Sequence, residues 1–128
     1  MTMRRARLFD GVGEDGQPYF AEDRTRVDDA ELRSMLSRFL SGGTFVRRTT
    51  FRDIDRLDPT RGKVVPTSTV TDGEWIWNAG LEYYLEVHGI APEPDFVEYI
   101  SAKHYHAVKP GESGLRAALE VLQDRARA

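Results

Sequence analysis

The sequence predicts an α+β fold, a small antiparallel sheet packed on one side by three or four helices. Three observations carry this reading. Apolar residues recur at helical spacing from Leu32 to Leu40, β-branched and aromatic residues fill residues 44–50 and 63–77, and helical spacing returns after Asn78. The strands are grouped between helices and do not alternate with them, which argues against a parallel βαβ sheet. At 128 residues the chain has the size of one domain, residues 1–128, and enough length to bury a substantial core.

Residues 5–21, RARLFDGVGEDGQPYFA, hold two short apolar segments around glycine-rich turns and predict a hairpin. In VDDAELRSMLSRFLSGG, residues Leu32, Met35, Leu36, Phe39 and Leu40 form one apolar stripe on a helix. Asp28 is placed to cap it, Glu31 follows as in a capping box, and Val27 can staple against Leu32. Gly42 and Gly43 read as a positive-φ terminator. GTFVRRTTFRDI gives a strand over 44–50 with exposed arginines, and DRLDPTRG gives a loop over 55–62. Lys63 to Val70 is extended but interrupted by Pro66, as at an edge or a bulge.

Asp72-Gly73 is favoured in a two-residue type I′ turn, so Val70-Thr71 and Glu74-Trp75 are expected as antiparallel neighbours. On that strand Trp75 and Trp77 share one face and Ile76 takes the other. Asn78 is placed to cap a helix whose core side is Leu81, Tyr84 and Leu85, with His88 alongside. Gly89 ends that helix and Ile90 is set to fold back on Leu85. Pro94 opens another helix with Phe96, Val97 and Ile100 inward, and Ser113 is placed to cap a last one with Leu115, Ala118, Leu119 and Leu122 inward.

Charge is unevenly distributed. Asp72 to Glu98 contains seven acids (Asp72, Glu74, Glu82, Glu86, Glu93, Asp95 and Glu98) and no lysine or arginine, whereas the remainder carries fourteen acids against eighteen bases. A net charge of -3 and a pI near 5.6 disfavour nucleic acid as the main partner. The arginines of VRRTTFR read as a solvated strand face, without aromatic residues interleaved at stacking positions. Cysteine is absent, which removes thiol chemistry and any reason to prefer an oxidising compartment. The basic N-terminus lacks a signal-peptide apolar run and no segment has the length of a membrane span, so the expectation is a cytoplasmic protein with no membrane partner.

No stretch matches a catalytic, metal or nucleotide signature. GVGEDG is not followed by a βαβ unit, no serine sits in a nucleophile elbow, and Asp53, Asp55 and Asp58 lack the glycine and glutamate of an EF-hand. His104 and His106 have ligand spacing without a third ligand, and the helix end accounts for His88. No catalytic residue, metal or cofactor is therefore assigned. Trp75 and Trp77 read as core anchors, but together with Tyr84 they are also candidates to line a small-molecule or enzyme pocket. Tyr83 and Val87 lie roughly 200–240° around their helix from Leu81. Either that helix is buried on two sides, or Tyr83 and Val87 form a patch beside Glu82 and Glu86.

TDGEWIW, followed by LEYYLEVHG and a proline-led helix, resembles small uncharacterised actinobacterial proteins and is loosely similar to immunity proteins that neutralise secreted toxins. The resemblance spans residues 66–100 and implies inhibitor binding without catalysis, and it transfers no individual residue. It agrees with the charge pattern, because an acidic, aromatic surface suits a basic protein partner. The expected function is a protein-binding module, with a bacterial immunity-type inhibitor as the form the resemblance implies, contacting its partner through Glu74, Glu82, Tyr83, Glu86, Val87 and Glu93. A homodimer is the third expectation.

Overall fold

The computed structural model describes residues 3–127. Its element order is β1 (Arg4–Arg5), β2 (Gly11–Val12), β3 (Pro18–Tyr19), α1 (Ala30–Ser41), β4 (Thr44–Arg47), β5 (Arg52–Ile54), β6 (Lys63–Pro66), β7 (Thr69–Thr71), β8 (Trp75–Asn78), α2 (Gly80–His88), α3 (Pro94–Ala102) and α4 (Glu112–Arg127), with a 3₁₀ turn at Pro59–Arg61. The fold is α+β. The main sheet has the order β1-β8-β7-β4, antiparallel except that β1 runs parallel to β8. Two small hairpins, β2–β3 and β5–β6, stand outside it.

Strand alternation divides the core. Val70, Trp75 and Trp77 face α1, α2 and α3, packing with Leu36, Phe39, Leu40, Leu81, Leu85, Phe96 and Ile100. Trp75 stacks on Phe96 with centroids 4.6 Å apart, and Trp77 Nε1–H donates to the Leu40 carbonyl at 3.3 Å. Ile76, on the opposite face, is covered by Ala118 and Leu122 of α4. The helices thus occupy both faces and not one, because Ile76 is as apolar as its neighbours and needs its own cover. Val121 packs into this layer, whereas Leu119, expected inward, is 39% exposed.

Several local expectations shift by a residue or change their physical reason. Asp29, not Asp28, caps α1, accepting from the N–H groups of Glu31 and Leu32 at 2.8 and 3.2 Å. Gly42 has φ -85°, so α1 does not end on a positive φ. Glycine is required at Gly43 for space: a Cβ there would lie 2.4 Å from Val70 Cγ1 and 2.6 Å from Trp77 Cζ2. The β7–β8 register pairs Thr71 with Ile76, two residues beyond the expected pairing. Only Gly73 of that turn has positive φ, and the Asp72 carboxylate closes it by accepting from the N–H groups of Glu74 and Trp75 at 3.0 and 2.9 Å. The helix α4 begins at Glu112, ahead of Ser113.

Between α2 and α3 the chain turns where Gly89 and Pro94 predict. Gly89 has φ 72° and its N–H returns to Tyr84 and Leu85 carbonyls, as a left-handed helix terminator does. Ile90 is fully buried, but against Tyr84 and Val65 in a second cluster roofed by Phe9 and Phe20. The helix α2 is accordingly buried on two sides. No described helix is long and apolar enough to cross a membrane.

Candidate functional site

The acidic block separates into carboxylates that hold the fold and carboxylates that do not. Asp72 is buried and takes the Tyr99 hydroxyl at 2.5 Å besides closing its turn. Glu74 lies 2.8 Å from the same Tyr99 oxygen, so the two carboxylates share that one proton, and it pairs with Lys103 Nζ at 3.1 Å; Tyr99 and Lys103 together lower its pKa. Glu93 accepts the Arg7 N–H at 2.9 Å, and Asp95 pairs with Arg4 at 3.2 Å. Glu74 and Glu93 are therefore engaged at the hairpin and at the start of α3, apart from the other predicted contact residues.

Glu82 and Glu86 are different. One turn apart on α2, they face α1 across a groove of about 610 Å³ whose lining includes Ser34, Ser37, Arg33 and Arg38. Ser37 Oγ–H donates to Glu86 Oε1 at 2.5 Å, and Glu82 Oε1 lies 3.3 Å from the same oxygen. A single hydroxyl proton serves only one of the two carboxylates. Among the described residues neither forms an ion pair, because the bordering arginines donate to backbone carbonyls: Arg33 to Val27 at 2.7 Å, Arg38 to Tyr105 at 3.4 Å. Burial and the adjacent Glu86 charge raise the Glu82 pKa. The arrangement is an open anionic slot suited to a cationic group.

Val87 is 37% exposed but does not line this groove, and Tyr83 turns to a separate cluster on the other flank of α2. There Asp55, with no exposed surface, accepts Tyr83 O–H at 2.6 Å, His88 Nε2–H at 2.7 Å and the N–H groups of Leu57 and Asp58, each at 2.9 Å. Arg61 Nε–H donates to the Tyr83 oxygen at 2.9 Å. Burial by itself pushes the Asp55 carboxyl up, but the bonds from Tyr83, His88 and the two amides outweigh it and hold the pKa at about 2. Every central group in this cluster is satisfied internally, so it acts as a lock between loop 55–62 and α2. His88 is thus a partner of Asp55 and more than a charge at a helix end.

The three rings considered as a pocket lie in two clusters. Trp75 and Trp77 are 3% and 1% exposed in the main core, and Tyr84 is fully buried in the second, its hydroxyl accepting the Arg56 N–H at 2.9 Å and its pKa pushed up to about 12 by burial. They do not surround one space. On β4 and beyond, Arg47, Arg48 and Arg52 are exposed as expected, but Phe45 and Phe51 are exposed among them, with Arg48 4.4 Å over the Phe45 ring. Sequence reasoning missed Ser37, which shapes the anionic slot, and Asp55 as a hub, since both depend on side-chain partners 28 to 49 residues away. No protein-family model, curated protein or solved structure matches this chain.

Proposed function

We propose that this protein is a protein-binding module, of the immunity-inhibitor kind, whose contact face is centred on Glu82 and Glu86 and receives a cationic side chain of a basic partner. One observation carries the reading: two carboxylates one helical turn apart share a single serine proton in an open groove and form no ion pair among the described residues, the bordering Arg33 and Arg38 donating to backbone carbonyls instead. Such a pair repels itself, and a lysine or arginine from outside relieves that repulsion on binding. The net charge of -3 also favours encounter with a basic protein. Ala30, Ser34 and Ser41 of α1 line the same groove and supply the small and polar surround of such a contact.

The test is affinity capture from a lysate of the producing cells and of their competitors, with wild type and Glu82→Lys/Glu86→Lys side by side. The reading predicts a basic protein retained by wild type and lost from the variant, with circular dichroism unchanged. Equal retention by both proteins sinks it.

A further inference from the structure

The other flank of α1 holds a second recess. It measures about 440 Å³ and lies between α1 and the start of α3. Its floor is apolar and tightly held: Val27, Leu36 and Ala91 are 6%, 0% and 3% exposed. An antiparallel bridge from Arg26 to Ile90 fixes that floor, with Val27 N–H to Gly89 O at 2.7 Å and Ala91 N–H to Thr25 O at 3.0 Å. Leu32, Pro92, Pro94 and Val97 form the walls. The two prolines offer no N–H and a fixed φ, so the wall on their side is both apolar and preorganised.

The rim has a different chemistry. Asp28, Asp29 and Glu98 border the opening with Arg26 as the only cation among the lining residues, and the Arg26 guanidinium donates to the His88 carbonyl at 3.1 Å. Asp29 is committed to capping α1, whereas the side chains of Asp28 and Glu98 make no hydrogen bond or ion pair among the described residues. An acidic rim repels fatty acids and other anionic amphiphiles, and it attracts cations. Asp28 also lines the Glu82/Glu86 groove, so α1 lies between two recesses that open onto one acidic margin.

We infer that this cleft seats a bulky apolar side chain carried between basic residues of a protein partner. The inference rests on the binding-module reading above and adds to it the anchor that gives specificity, since a buried apolar side chain within a charged surround is the usual form of an interface hot spot. The anionic slot supplies attraction and the cleft supplies selection.

The probe is the peptide acetyl-Lys-Lys-Phe-Lys-Lys-amide, titrated into ¹⁵N-labelled full-length protein beside the same peptide with serine for phenylalanine. The expected result is saturable shifts at the amides of Leu32, Ala91 and Val97, with the phenylalanine peptide bound roughly tenfold or more tighter than the serine peptide. Val97→Trp, which fills the cleft, brings both peptides to the same affinity, and Val97→Met gives a smaller loss should the tryptophan variant not fold. Equal affinity of the two peptides for wild type overturns the inference. So do shifts confined to the residues around Glu82 and Glu86, which leave the groove reading standing, and so does the appearance of the cleft shifts on raising protein concentration alone, which makes a second copy the occupant. Conversely, cleft binding that survives Glu82→Lys/Glu86→Lys upholds the cleft whatever becomes of the groove.

Discussion

Asp55 accepts from two side chains and two backbone amides while fully buried, so its charge is both necessary and exactingly placed. Its folded pKa of about 2 lies below the ordinary 3.8, so the stabilisation is complete above the ordinary value and is lost as pH falls through the folded one. That difference amounts to roughly 2 kcal/mol. Asp55→Asn is expected to cost roughly 2–4 kcal/mol at pH 7 and to flatten the acid limb between about pH 4 and 2. Urea unfolding across that range measures both, and a loss below about 1 kcal/mol with an unchanged acid limb contradicts the hub. Gly43 makes the complementary case for space. Gly43→Ala presses a methyl into Val70 and Trp77 and is expected to destabilise by about 1–3 kcal/mol, read by thermal or urea unfolding; a neutral result shows that the core gives way there.

At the scale of elements, what the sequence discloses follows from period and composition. The stripe Leu32 to Leu40, the proline start of α3 and the Gly89 terminator are local patterns, and each is where the sequence predicts it. The strand β1 is only Arg4–Arg5, two exposed charged residues with no apolar alternation, so nothing local announces that it pairs in parallel with β8. The amphipathic pattern of α4 shows that it buries a face but not which face of the sheet receives it. The site divides in the same way: the acids of α2 are visible as charge, whereas Ser37 and the cleft walls arise from packing α1 against α2 and α3. Because Glu82 and Glu86 repel one another one turn apart, Glu82→Gln/Glu86→Gln is expected to stabilise the fold by about 0.2–0.5 kcal/mol at pH 7. Urea unfolding reads the sign, and destabilisation would show the pair to be structural.

Across the whole molecule, the seven acids of residues 72–98 are partitioned between folding and surface. Asp72, Glu74, Glu93 and Asp95 are held by Tyr99, Lys103, Arg7 and Arg4, leaving Glu82, Glu86 and Glu98 around α1. The acidic stretch in sequence is thus much narrower as an acidic surface, and Glu82, Glu86 and Glu98, which form no ion pair among the described residues, lie at the two recesses. Carboxylates retained there at a small cost in stability are what a binding surface requires, since a site selected for a partner need not be optimal for the isolated fold. The most direct measurement is the affinity of the captured partner for wild type and for Glu82→Gln/Glu86→Gln, by titration calorimetry at fixed salt. The account predicts at least about tenfold weaker binding by the variant, the order expected for losing charge-assisted hydrogen bonds to a cation. Affinity equal to wild type, in a variant that is folded and as stable, contradicts it.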